Sequence, residues 1–376
     1  MAVVSSAWLP SEFVELTSKR MLIAPVPQFL YASMVYMADL RSQLTINPDA
    51  MQWANGRGIP SGLGAGVPDI STMQLMLADP IRSGAIVVSE ELVSEPGNVV
   101  KFNRPVFTGG GYTYAARAIA SGQTISVVPI SITGEQVPIV IDRFSGPYAS
   151  GGTGVQPYGI DRAMAKRGVH SLVERVGQNL HYDRSAWLDA VIALLFDSPV
   201  STNILYPNDP TGSITSDAAA FTVGVNGDRT FDYETITRMQ AKLQSLNIPT
   251  FDDGKYRLIV NPAQAQQLLL DPNFARYAKE DPSTNPLKAG FIKTCGMVEV
   301  YMSNSNIVST TAVSGVTINH ATMFGKEIVA RVADAEGCRI ALSSDDNYGE
   351  TAKAVWIAYE GYGLLDNRFI CTAHSN

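Results

Sequence analysis

From Asp161 to Phe196 the sequence reads DRAMAKRGVHSLVERVGQNLHYDRSAWLDAVIALLF, and this stretch constrains the fold more than any other. Val169, Leu172, Val173, Val176 and Leu180 recur at spacings of three and four, and Trp187, Leu188, Val191, Ile192 and Leu195 resume the stripe. Such spacing predicts one amphipathic helix with a single buried face. Asp161 suits its start as a cap and as negative charge at the positive end of the dipole. Asp197-Ser198-Pro199 ends it, because proline has no amide hydrogen to donate. At 1.5 Å per residue the helix would run roughly 54 Å, far beyond the usual ~11–12 residues. Gly168 and Gly177 lie within it, each costing about 1 kcal/mol against alanine. A spine of this length, with soft points, suits a subunit that bends within an assembly. A long core helix in an α+β domain is the plainer reading.

The remaining text divides around that spine. Residues 1–84 do not read as a self-contained domain. Helices are expected over 11–22 and 28–44, with Pro25 and Pro27 forcing an extended link between them. The stretch 55–69 is glycine-rich but lacks the GxGxxG spacing of a nucleotide loop, so it reads as part of an arm. Residues 85–144 turn to β character in AIVVSEELV, NVVKFNRPVF, QTISVVPISI and EQVPIVIDRF. They form a ribbon with few inward residues, which needs an outside surface because a lone hairpin is marginal in water.

Residues 145–199 carry a glycine-rich linker and the spine. Residues 200–320 are the most domain-like: a helix over 233–246, the strand KYRLIV, a helix opened by Asn261 as N-cap with Pro262 in its first turn, and the strand GMVEVYM. Surface loops are expected over 215–229 and 303–315. Residues 321–376 return to strands.

Chemistry is sparse. The four histidines include His170 and His181 on the spine, ~16 Å apart at 1.5 Å per residue and too distant for one metal. His320 and His374 read as core or solvated residues. No GxSxG, HExxH or GxxxxGK[ST] pattern occurs. Asp252-Asp253 and Asp345-Asp346 sit beside turn residues, where aspartate is expected anyway. No catalytic, cofactor-binding or metal-ligating residue is assigned. Cys295, Cys338 and Cys371 stand apart, which fits buried thiols in a reducing compartment. Lys+Arg 28 against Asp+Glu 35 gives a net charge of −7, which argues against a surface that grips DNA phosphates. No leader peptide or membrane span is expected.

Order then says more than motif: arm, ribbon, spine helix, α/β domain, returning strands. The stretches EPGNVVKFNRPVFTG (95–109), KYRLIVNPAQAQQLLLDPNFARY (255–277) and SSDDNYGETAKAVWIAYEGYGLLDNRFICTAH (343–374) resemble the extended loop, axial domain and C-terminal strands of tailed-phage major capsid proteins, the Hong Kong 97-type fold. The resemblance implies an α+β capsid fold with an N-terminal arm (1–84), extended β loop (85–144), peripheral domain (145–199), axial domain (200–320) and returning strands (321–376). It implies self-assembly as hexamers and pentamers into an icosahedral virion head that encloses DNA without specific binding. A scaffolding protein, a portal and decoration proteins are the implied partners, and the host bacterial cytoplasm the place of assembly. Some members crosslink through a Lys–Asn isopeptide; Lys101 and Asn347 are the candidates here, though no assisting glutamate is clearly placed. A nanocompartment shell of the same fold, enclosing a cargo enzyme, and an α+β enzyme with unrecognised carboxylates stay open at this point.

Overall fold

A computed structural model describes residues 30–32, 34–35, 85–89, 99–105, 134–147, 157–161, 170–209, 212–221, 229–277, 291–305, 308–310, 316–342 and 351–376. The expected helix over 11–22, the glycine-rich stretch 55–69, the strand QTISVVPISI, the pair Asp345-Asp346 and Asn347 lie outside these residues.

The spine is helix α1, His170–Phe196, 27 residues and about 40 Å long. Val176, Leu180, Leu188, Ile192, Ala193 and Phe196 are buried along one face, while Tyr182 and Leu194 face outward. The expected start at Asp161 is displaced. Asp161 ends strand β5 (Tyr158–Asp161) and pairs with Thr351, so its backbone is engaged in a sheet instead of opening the helix.

Two sheets pack against the spine. The five-stranded sheet has the order β1 (Ile86–Ser89), β12 (Val329–Leu342), β13 (Thr351–Leu364), β4 (Asp142–Gly146), with β5 also on β13. β1 runs parallel to β12 and the other pairs are antiparallel. β1 and β4 were expected within the ribbon segment 85–144; they are instead strands of this sheet. Among the described residues, β2 (Val99–Pro105) and β3 (Gly134–Val140) form a two-stranded ribbon.

The ribbon's base also has backing from its own chain. Val100 and Ile139 are buried with Ala330 and Val332. Ile139 lies over two glycines of β13: a Cβ at Gly361 would stand 2.3 Å from the Val140 carbonyl oxygen, and one at Gly363 2.8 Å from Ile139 Cγ1. Absent side chains let the ribbon sit directly on the sheet, so the ribbon is tied to its own subunit at one end.

The seven-stranded sheet has the order β6 (Ile204–Leu205), β14 (Ile370–Ser375), β11 (Thr317–Phe324), β7 (Tyr256–Val260), β9 (Val298–Met302), β8 (Phe291–Cys295), with β10 (Val308–Thr310) on the far end of β11. Every residue of β7 and β14 is buried, so neither strand alternates between a buried and an exposed face. Helices α2 (Asp217–Ala220), α3 (Tyr233–Ser245), α4 (Pro262–Leu270) and α5 (Pro272–Tyr277) complete this half. α2 and β10 fall where surface loops were expected.

Local chemistry explains the boundaries. Asp232 caps α3 by accepting from the Thr235 amide. Asn261 and Gln264 form a reciprocal capping box on α4, with Pro262 in the first turn. Ile236, Met239 and Leu243 of α3 join Leu258, Val260, Leu268, Val298 and Met323 in one apolar core. A second core ties both sheets to the spine through Ile192, Phe196, Ile259, Phe324, Val329 and Ile370.

Part of the arm belongs to that second core. Leu30, Tyr31, Met34 and Val35 are helical and buried within it. Asp189 of α1 accepts from the Ala32 amide at 3.0 Å, holding this helical stretch against the spine. Burial raises the Asp189 carboxyl above its ordinary pKa, opposed by hydrogen bonds from Ser305 and from the Ala32 and Tyr31 amides. The arm was expected to gain its order elsewhere; residues 30–32 and 34–35 pack within their own subunit.

Candidate functional site

The spine meets the two long strands through charge as well as apolar packing. Glu360 of β13 receives Arg184 of α1 at 3.3 Å and Arg331 of β12 at 2.7 Å, and all three side chains are 1–2% exposed. Burial alone would push the Glu360 carboxyl up. The Arg184 and Arg331 charges, with the Arg331 hydrogen bond, outweigh burial and hold it at about 2. Beside this cluster Trp187 packs on Phe144, Trp356 and Tyr362 at centroid distances of 4.7, 5.5 and 6.4 Å. Trp356 Nε1 donates to Asp183 at 2.7 Å, and Gly146 leaves room for that bond: a Cβ there would fall 2.6 Å from both atoms.

A second ionic group sits in the seven-stranded sheet. Glu299 takes Lys255 at 2.9 Å and Arg257 at 3.3 Å, and Tyr301 donates its hydroxyl to it at 2.8 Å. Asp253 holds the other arm of Arg257 at 2.7 Å. Asp252 pairs with Lys326 at 2.8 Å. The Asp252-Asp253 pair is therefore engaged with cations of its own chain.

The third group is one that sequence reasoning missed. His320 of β11 and His374 of β14 are direct register partners, and their rings stack at 3.9 Å with 22° between planes. Both are nearly buried. His320 Nδ1 lies 2.9 Å from both carboxylate oxygens of Asp197, which follows the last residue of the spine helix. His374 Nδ1 lies 2.7 Å from Asp217 Oδ1, and Tyr206 donates its hydroxyl to the same oxygen at 2.9 Å. The His374 hydrogen bond, more than opposing burial, keeps the Asp217 carboxyl below its ordinary range. The two histidines are 54 positions apart in sequence, and only the β11–β14 pairing brings them together. His181, by contrast, stays on the spine helix away from them.

Lys101 is exposed on β2, its backbone opposite Pro138 of β3. The three cysteines are buried and free, and burial pushes the Cys295, Cys338 and Cys371 thiols up to about 11, 11 and 12. Outward-facing apolar side chains gather at the end of α4, where Leu269 is 56% and Leu270 75% exposed, and on the spine at Leu194, 61% exposed. Among the described residues no helix is long and apolar enough to cross a membrane.

No protein-family model matches the sequence, and no curated protein is detectably similar to it. The architecture itself is familiar. The capsid of Ralstonia phage GP4 superposes with a TM-score of 0.58 at 14% identity, over 77% of this chain and 86% of that one. The capsid asymmetric unit of cyanophage Pam1 gives 0.54 at 13% identity, over 78% and 88%. The capsid of cyanophage P-SCSP1u gives 0.50 at 13% identity, over 78% and 86%. This is the tailed-phage major capsid fold. Residue order and apolar pattern carry that fold here with almost no residue identity, which is why the likeness is visible in the order of elements and not in any strict motif.

Proposed function

We propose that this chain is a tailed-phage major capsid protein whose copies assemble as hexamers and pentamers into the icosahedral head around a double-stranded DNA genome. The observation that carries the reading is the shared fold with capsid subunits over more than three quarters of the chain. In this arrangement the seven-stranded sheet with α3–α5 is the axial domain, and the five-stranded sheet with α1 is the peripheral domain. The ribbon is the extended loop and residues 1–84 the arm. Leu269 and Leu270 at the end of α4 supply apolar surface that a neighbouring copy would cover. Capsid-like neighbours favour a structural over a catalytic role. The net charge of −7 suits a wall that confines DNA without binding its phosphates. Scaffolding, portal and decoration proteins are the proposed partners, and the virion the proposed location.

The test is expression of the full chain with its scaffold, followed by electron microscopy and analysis of particle contents. Closed shells of hexamers and pentamers that protect DNA from nuclease in an infected cell are the expected result. Shells holding one cargo protein and no genome would favour a nanocompartment. A stable monomer under every assembly condition would overturn the reading. A Lys101–Asn347 crosslink, formed by Lys101 Nζ displacing ammonia from the asparagine amide, is proposed separately. Denaturing gels of mature particles would show covalent ladders, and a single monomer band would refute it.

A further inference from the structure

The stacked histidines sit where the spine helix ends against the seven-stranded sheet. Donor atoms of Asp197, His320 and His374, one from each, all lie within 4.8 Å of one another. Two features separate this group from an ordinary histidine–aspartate pair. First, its three donors come from three elements: the residue after α1, β11 and β14. Second, His374 is backed as a metal-bound imidazole usually is. Its Nδ1 lies against Asp217, which Tyr206 also holds; the tautomer with its proton on that nitrogen presents the other as a lone-pair donor.

We propose that Asp197, His320 and His374 form a divalent transition-metal site, best suited to Zn²⁺, that pins the end of the spine helix to the seven-stranded sheet. Zn²⁺ takes imidazole nitrogen at about 2.0–2.1 Å and carboxylate oxygen at about 2.0–2.2 Å. Tetrahedral donors then stand about 3.3 Å apart, against 2.9 Å now between His320 Nδ1 and Asp197. The metal replaces the proton shared by His320 Nδ1 and Asp197, and that proton is released on binding. The His374 donor, within 4.8 Å of the other two, reaches the same centre once the two rings turn out of their stack. Two nitrogens and one carboxylate leave a fourth position for the second Asp197 oxygen or a water. Asp217 is a positioning residue: it holds the His374 tautomer and touches no metal.

The site goes beyond the capsid reading and does not depend on it, because binding is measured on the unassembled subunit. Untagged full-length protein, stripped with a chelator, is titrated with Zn²⁺ against a chromophoric competitor, and separately with Co²⁺. We expect one equivalent bound, a rise in melting temperature, and the visible absorption of tetrahedral Co²⁺. Asp197→Asn and His374→Gln should abolish that equivalent, whereas His181→Gln should leave it intact. Asp217→Asn, which retains every ligand, should weaken binding by about 10–100-fold. X-ray absorption of the wild-type Zn²⁺ form, with a nitrogen/oxygen shell at about 2.0–2.1 Å, tests the ligand set without any variant. No stoichiometric binding, binding untouched by both ligand variants, or a sulfur shell from the cysteines would each overturn the proposal.

Discussion

Two buried glutamates, Glu360 and Glu299, are held in different ways. Glu360 lies between two arginines with all three side chains 1–2% exposed. Glu299 is equally buried, but its partner Lys255 is 28% exposed, and Asp253, which shares Arg257, is 27% exposed. The sealed cluster joins three elements, the spine helix and both 14-residue strands. The open one joins neighbours within a single sheet, where hydrogen bonds already fix the register. In the sealed cluster Arg184 adds the spine helix to two strands that already pair, an alignment that no backbone pairing supplies. An ion pair enclosed in this way contributes little net stability, because desolvation offsets attraction; breaking it is what costs.

Removing one partner should therefore separate the two sites most widely. Glu360→Gln leaves Arg184 and Arg331 buried against a neutral amide, and we expect a loss of about 3–5 kcal/mol in chemical denaturation. The loss should depend on pH. The Glu360 carboxyl is held at about 2, against about 4.3 in an unfolded chain. Its folded value is depressed, so its contribution is fully present above about pH 4.3 and lost as pH falls towards 2. The gap between wild type and variant should close across that window, and a constant gap would show that the charge is not what matters.

Glu299→Gln should cost less, about 2–3 kcal/mol, because Arg257 keeps Asp253 and Lys255 can turn to water. Equal losses at the two sites would erase the distinction between sealed and open clusters.

Gly361→Ala asks whether the tight packing of the five-stranded sheet extends to the ribbon. The new methyl would meet the Val140 carbonyl, and overpacking of this kind costs about 1–2 kcal/mol. Hydrogen exchange should quicken at residues 137–140 more than elsewhere. Unchanged protection there would mean that the ribbon's base does not rest on the sheet in solution.

The smallest effect on folding belongs to Leu270→Ser on the exposed end of α4. We expect a stability change within about 0.5 kcal/mol and, under the proposed function, impaired shell formation by light scattering. A large stability loss would place Leu270 in the subunit's own core.

Much of the fold was legible because it is local. Asp232, and Asn261 with Pro262 and Gln264, mark helix starts through contacts three residues away. The apolar run Leu258, Ile259, Val260 in β7 marks a strand covered on both faces. Long-range pairing carries no such mark. Nothing in AIVVSEELV shows that β1 will run parallel to β12, some 240 positions later. The stripe Leu30, Met34 shows a helix with a face to bury, but not that Asp189 of the same chain will hold it. Asp161 misled because aspartate serves equally well at a helix cap and at the end of a strand. The histidine group was invisible for a geometric reason: β11 and β14 carry one histidine each, and the stack exists only across their shared hydrogen bonds.

That same strand order has a kinetic side. β14 lies between β6 and β11, and residues 370–375 leave the ribosome 375 − 260 = 115 residues after β7 is complete. At ≈5–20 residues per second the wait is on the order of ten seconds. Until then the sheet has an open slot, and neither His320 nor the core around Met323 has its neighbour. A nascent subunit thus lacks the wall that sets the shape of its assembling half. Completion of β14 therefore sets when this sheet can close.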